Sequence, residues 1–166
     1  CTGDAMAFVD PSDMNMGLRF DGRISEDFKL MSGTWVRAAT LRLELLREFK
    51  GIAADVVITG ADRNEVGVMI VPVPDIVERF GAVDDDGALA SDALLQAIRD
   101  VLQARMDTGV GSAARIMRAI VLSEPPSMAE GEITAKGNLN FRKIQTRRAA
   151  LLDRLYAKDD ASVARL

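Results

Sequence analysis

Three short apolar runs set the terms on which this chain folds. Residues 55–60 read DVVITG, residues 66–73 VGVMIVPV and residues 116–122 IMRAIVL. Each is too short for an ordinary helix and rich in β-branched Val and Ile, which pack well on a pleated surface. They are therefore expected to be buried strands. The turn chemistry of Asp62-Arg63-Asn64-Glu65 joins the first two into an adjacent antiparallel pair.

Helical periodicity fills the intervals. Over residues 38–49, Leu41, Leu45 and Phe49 share a face that Leu46 widens, and Lys50-Gly51 ends the helix. A short helix is expected over 74–80. Residues 91–106 carry a stripe of Leu95, Ile98, Leu102 and Met106, with Ser91 as N-cap. A last helix over 141–156 puts Ile144, Leu151 and Leu155 on one side, with Asn140 able to cap it. Near the start, residues 5–9 and 17–20 read as strands joined by a polar loop. No regular βαβ repeat emerges. The expected fold class is α+β: a small, mostly antiparallel sheet, three-stranded plus a hairpin, with packed helices.

Composition removes several chemistries. With 166 residues the chain is long enough for one domain with a real core. Histidine is absent, so no Ser-His-Asp or Cys-His nucleophile forms within this chain, nor a zinc site built on His. One cysteine excludes an internal disulfide framework and a cysteine cluster for metal. A net charge of −4 gives no whole-chain attraction for nucleic acid or an anionic membrane. No run of about 18 apolar residues suggests a span, and no signal peptide opens the chain, so a cytoplasmic location is the expectation. The adjacent Asp84, Asp85 and Asp86 lack the spacing of a calcium loop and read as a solvated loop. Arg142, Lys143, Arg147, Arg148 and Arg154 lack base-stacking aromatics and read as a solvated helix face. The chain opens on Cys1-Thr2-Gly3-Asp4 with no initiating Met, and a segment of a longer protein is expected.

Two stretches carry chemistry. In residues 20–36, FDGRISEDFKLMSGTWV, the turn Asp21-Gly22 precedes Arg23, Glu26, Asp27 and Lys29. A second turn, Ser32-Gly33-Thr34, leads to Trp35-Val36, and Gly33 allows close approach of a ligand or another backbone. By spacing alone this is a hairpin with a solvated charged rim, or a hinge with a ligand-facing loop. In residues 131–141, GEITAKGNLNF, Lys136-Gly137 is a turn; by spacing alone Lys136 is a solvent-facing turn lysine. Asp4, in Thr2-Gly3-Asp4, is by spacing a turn or cap residue.

FDGR-I-x-E-D-F-K-L-x-x-G-T-W resembles the linker and following loop of adenylate-forming acyl-CoA ligases, in particular the feruloyl-CoA synthetase and long-chain acyl-CoA synthetase branch. GEITAKG-x-x-N before an Arg-rich helix resembles the C-terminal end of the feruloyl-CoA-synthetase-like ligases. The resemblance implies that residues 1–24 close a large N-terminal domain and reach the hinge region, and that residues 25–166 form the mobile C-terminal domain. Asp4 would accept hydrogen bonds from the ATP ribose, and Arg23 would hold ribose or phosphate. Ser25 falls at the hinge, where many relatives have Asp or Lys. Lys29 takes the family's basic position, and Ser32, Gly33 and Thr34 would approach the pantetheine arm of CoA. Trp35 stands where many relatives carry a phosphate-contacting Arg.

Lys136 would reach the active site during adenylation and contact the carboxylate and the α-phosphate. Most relatives end in Gly-Lys, whereas this chain has Lys-Gly. An ungapped match to the commoner pattern puts Asn138 at the lysine position. The order Thr-Ala-Lys-Gly favours Lys136, with Lys143 as the fallback. The implied partners are a carboxylic acid, ATP, CoA and the enzyme's own N-terminal domain, with Mg²⁺ and most of the ATP pocket supplied by that domain. The function so implied is ATP-dependent ligation of a carboxylic acid to CoA. The alternatives are an adenylating domain with another acceptor, such as a carrier protein, and a non-catalytic interaction domain.

Overall fold

Cover on both faces explains why the three apolar runs do not alternate. The computed structural model describes residues 4–10, 12–23 and 27–166. The chain begins with a two-stranded antiparallel ribbon, β1 (Asp4–Asp10) and β2 (Asp13–Arg23). A small hairpin follows, β3 (Phe28–Lys29) with β4 (Trp35–Val36), and then helix α1 (Ala38–Glu48). Strands β5 (Ala53–Thr59) and β6 (Val66–Pro72) pair antiparallel through the turn expected at 62–65. After α2 (Ile76–Phe80) come β7 (Val83–Asp85), β8 (Ala88–Ala90) and the long helix α3 (Asp92–Asp107). Strand β9 (Ile116–Leu122), helices α4 (Phe141–Arg147) and α5 (Ala149–Tyr156), and strand β10 (Val163–Arg165) complete the chain.

The α+β class holds, but the sheet is larger than expected and mixed. It has six strands in the order β5-β6-β9-β8-β7, with β10 also on β9. The three-stranded expectation is corrected to six strands, while the mostly antiparallel character holds in four of the five pairings, and two features lay outside the expectation. First, β6 and β9 run parallel, because α2, the β7–β8 hairpin and α3 carry the chain back before β9 begins. Second, β7, β8 and β10 are three-residue strands, too short to show a period. The acidic triplet is part of the β7–β8 hairpin rather than a loop. Asp86 (φ 48°) and Gly87 (φ 87°) supply the two positive-φ residues that a tight hairpin turn requires. The Gly87 amide donates to Asp84 Oδ1 (2.9 Å).

Side chains of alternate parity enter two separate cores. On one face, Val56, Ile58, Val68, Ile70, Ala119 and Val121 meet Leu41, Leu45 and Phe49 of the α1 segment and Leu94, Ile98 and Leu102 of α3. On the other, Val57, Met69, Ile120 and Leu122 meet Ile144, Leu151 and Leu155 of α4 and α5. The sheet is therefore the middle of three layers. Ser91 caps α3 as expected, its Oγ accepting from the Leu94 amide (3.2 Å). Helix α1 has no such cap from Arg37; the carboxylate of Asp27 accepts the Ala38 amide instead (3.0 Å). Arg105 of α3, 5% exposed, reaches across to Glu44 and Glu48 of α1 and locks the two helices side by side. The single helix expected over 141–156 is divided at Arg148. Among the described residues no helix is long and apolar enough to cross a membrane.

Tyr156 ties α5 to the sheet. Its hydroxyl lies 3.0 Å from Thr59 Oγ1 and donates to the Glu65 carbonyl (3.3 Å). Gly67 makes room for it: a Cβ there would lie 2.9 Å from Tyr156 Oη and 3.0 Å from Leu155 Cδ2. Gly67→Ala is therefore expected to cost about 1–3 kcal/mol in urea unfolding, from overpacking. Gly111→Ala, at φ −65° with open space around it, is expected to be neutral or slightly stabilising.

Candidate functional site

Lys136 sits at the tip of a small hairpin built over residues 133–139. Ile133 and Leu139 form an antiparallel bridge at its base. Above them, the Thr134 amide donates to the Asn138 carbonyl (2.8 Å) and the Gly137 amide to the Thr134 carbonyl (2.8 Å). The Asn138 amide donates to Thr134 Oγ1 (3.2 Å). Gly137 has φ 81°, so the residue after Lys136 needs the glycine that the Lys-Gly order provides. Lys136 is exposed, and its ammonium has no ion-pair partner among the described residues. Lys143, the fallback, stands on α4 with its stem about 3.8 Å from where a Gly131 Cβ would be, and it is equally unpaired.

The base of the hairpin is a buried ion pair. Glu132 is fully buried, and Arg148 Nε and Nη2 donate to its two carboxylate oxygens (2.7 and 3.0 Å). The Ser127 amide adds a third bond (2.8 Å). These bonds, the Arg148 guanidinium first, hold the Glu132 carboxyl down to about 2, against the desolvation that opposes them. Helical spacing puts Arg148 on a solvated face, but it is 7% exposed because the helix breaks there and turns it inward. Arg154 is likewise engaged, with Asp85 and Asp160.

A cleft of about 620 Å³ opens beside the hairpin. Thr134, Leu139 and Asn140 of the hairpin stem form part of its wall, and Asp27 and Phe28 form another. The two sequence motifs, more than a hundred residues apart, thus share one concavity. Arg42, Phe141, Arg142 and Gln145 also line it. Arg42 makes a bidentate bond to Asp55 (2.7 and 2.6 Å) and lies 5.5 Å from the centre of the Phe141 ring. Arg142 has no acidic partner among the described residues. Burial is the main influence on Asp27 and raises its carboxyl above the ordinary range, against the Ala38 and Trp35 hydrogen bonds. Sequence reading missed Arg42, Phe141 and the Glu132–Arg148 pair. The only hint for the pair was an acid next to Gly131 before an Arg-rich helix.

The remaining candidates fall as follows. Lys29 and Trp35 are cross-strand partners, with the ammonium 5.5 Å from the indole centre. Ser32, Gly33 and Thr34 form the exposed turn above them; Ser32 Oγ donates to Thr34 Oγ1 (2.9 Å), and Gly33 has φ 81° with open space at its Cβ position. This hairpin is docked on the β5–β6 turn, where the Met31 amide donates to the Arg63 carbonyl (2.8 Å) and the Asp62 amide to the Lys29 carbonyl (3.2 Å). In the β1–β2 ribbon Asp4 is the direct register partner of Arg23. Ser25 lies outside the described residues. Among the described residues no group of three or more His, Cys, Asp or Glu is arranged to hold a metal ion.

A family model described as the AMP-binding enzyme C-terminal domain matches residues 28–160. The chain belongs to that family. Solved structures agree at the level of fold. The adenylation and carrier didomain of a carboxylic acid reductase from Segniliparus rugosus, in complex with AMP, is 23% identical with TM-score 0.69, covering 95% of this chain and 20% of that one. The adenylation domain of a carboxylate reductase from Mycobacterium chelonae is 24% identical with TM-score 0.71, covering 95% and 23%. Coronafacic acid ligase from Pectobacterium brasiliense is 15% identical with TM-score 0.50, covering 99% and 25%. The chain thus spans between 20% and 25% of these solved chains. No curated protein matches it.

The depressed Glu132 carboxyl sets an acid limit on this site. Its folded value, about 2, lies below the ordinary 4.5, so its contribution to stability is fully present above pH 4.5 and is lost as pH falls toward 2. Unfolding free energy followed across that window should fall, and Glu132→Gln should flatten the slope while lowering stability at neutral pH.

Proposed function

We propose that this chain is the mobile C-terminal domain of an ATP-dependent acid–thiol ligase, a lid that carries Lys136 to a substrate cavity on an N-terminal domain. The observation that supports it best is an unpaired ammonium at the tip of a braced hairpin, whose stem shares a cleft wall with the segment just after the proposed hinge at Ser25. In the first half-reaction the substrate carboxylate attacks the α-phosphate of ATP; the new C–O–P link forms as the bond to pyrophosphate breaks. Lys136, a compact charge on a flexible stem, offsets negative charge gathering on both groups. In the second, a thiol displaces AMP from the acyl-adenylate and gives up its proton as the thioester forms.

Free lysine charge fits a polyanionic nucleotide. Mg²⁺ is proposed to be held mainly by the N-terminal domain; among the described residues no group of three or more His, Cys, Asp or Glu is arranged to hold a metal ion. Asp4 and Arg23, opposite one another in the ribbon, are proposed to meet the ribose and phosphate of the nucleotide. The hairpin from Lys29 to Thr34 is proposed to face CoA once the domain rotates at Ser25, a gating motion. The two motifs resemble the feruloyl-CoA and long-chain acyl-CoA synthetase branch, and the proposed substrate is a carboxylic acid of ferulate-like, aryl or long-chain type.

A second reading keeps the chemistry and changes the acceptor to a carrier-protein thiol. The same hairpin exposes Met31 (68%) and Trp35 (48%), apolar side chains suited to a protein surface. One fold neighbour includes a carrier domain. Supplying acyl-adenylate with either CoA or carrier protein to the full-length enzyme separates the two: thioester on CoA is expected, and thioester on carrier alone favours the second reading.

In the full-length enzyme Lys136→Ala should slow acyl-adenylate formation, measured as ATP–pyrophosphate exchange, by about 100-fold or more. Thioester formation from supplied acyl-adenylate should change by less than about threefold. Equal loss of both half-reactions would contradict the assignment. The isolated 166-residue chain should yield no acyl-CoA from acid, ATP and CoA; product there would contradict the lid reading.

A further inference from the structure

Among the described residues none forms an ion pair or hydrogen bond with the Lys136 ammonium, so where it arrives depends on what braces the hairpin from below. We infer that Glu132 and Arg148 act as one positioning unit for Lys136. The inference rests on the adenylation role proposed for that lysine.

Glu132 immediately precedes the hairpin. Its amide donates to the Ser127 carbonyl (2.9 Å), and its carbonyl accepts from the Asn140 amide (2.8 Å), so its backbone joins the incoming loop to the outgoing helix. Its carboxylate is 0% exposed and takes the guanidinium of Arg148 on both oxygens. The same guanidinium donates to the carbonyls of Glu124 (2.8 Å) and Pro125 (3.2 Å). Arg148 is itself rooted: it stands at the break between α4 and α5, its amide donating to the Ile144 carbonyl (2.9 Å). Ile144 and Leu155 on either side are fully buried against the sheet. One planar fork thus fastens the chain before the hairpin, the foot of the hairpin and the helix break to a single rigid layer.

The chemistry of the pair fits positioning better than stability. Removing two charges from water is expensive, and apolar residues of similar volume often stabilise as well. A bidentate guanidinium–carboxylate pair instead fixes distance and angle, which apolar contact does not. Lysine in place of Arg148 keeps the charge and loses the fork. Arg147 adds a looser contact to Glu132 Oε1 (3.6 Å) and sits on the more exposed side.

The test uses the full-length enzyme with Glu132→Gln and Arg148→Lys, each first shown folded by circular dichroism and thermal unfolding. Three readouts are made. Cleavage by a lysine-specific protease after Lys136 reports on hairpin order without reference to activity, and should rise about tenfold or more. ATP–pyrophosphate exchange should fall about 10- to 100-fold, as for a small misplacement of a catalytic group. Thioester formation from supplied acyl-adenylate should stay within about twofold. On a Lys136→Ala background neither substitution should reduce exchange further. Unchanged cleavage in a folded variant overturns the inference. So does an equal fall in both half-reactions, or a full further loss on the Lys136→Ala background. If Lys136→Ala alone leaves exchange intact, the lysine's role fails instead, and the cleavage readout alone decides whether the pair positions the hairpin.

Discussion

Strands β5, β6 and β9 are buried on both faces, and most other features follow from that constraint. A strand with no solvent face must be apolar throughout, and its neighbours must supply two separate cores. Here α1 and α3 supply one and α4 and α5 the other. The result is a stiff central plate. At its β5–β6 end the turn at 60–65 receives the Lys29–Trp35 hairpin by backbone bonds, and Gln145 of α4 donates to the Ile58 carbonyl (3.2 Å) at the margin of the cleft.

Charge is used in two different ways on this plate. Arg105, Arg148 and Arg154 are spent inside the fold, each spanning elements distant in sequence. Of the five basic residues in the last helical segment, Arg148 and Arg154 are thus engaged within the fold, while Arg142, Lys143 and Arg147 stay exposed. Lys136 and Lys143 are left unpaired on the outside. For the proposed lid that division leaves Lys136 ready to meet a phosphate, because an ammonium already paired would have to give up its partner first.

The legible parts of the sequence were those with a period or a cap. The α1, α3 and β5–β6 segments showed themselves through Leu41/Leu45/Phe49, through Ser91 with its Leu and Ile stripe, and through DVVITG and VGVMIVPV. The two motif stretches were legible by resemblance; Asp27 and Phe28 of the first and Thr134, Leu139 and Asn140 of the second line one cleft, whereas Lys29 and Lys136 do not. Three-residue strands escaped, since Val83–Asp85 and Val163–Arg165 have no room to repeat. The parallel β6–β9 pairing escaped because it depends on a crossover rather than on a local pattern. Arg148 escaped for a related reason: its burial follows from a helix break, and an apolar spacing of Ile144, Leu151 and Leu155 gave no sign of one.

The most direct measurement is chemical rather than mutational. In the full-length enzyme the amine reactivities of Lys136 and Lys143 can be read together by limited acetylation and mass spectrometry, with and without a non-reactive acyl-adenylate analogue. The account predicts that the bound analogue shields Lys136 strongly and leaves Lys143 reactive. Equal labelling of Lys136 in both states, or shielding of Lys143 in its place, would contradict it.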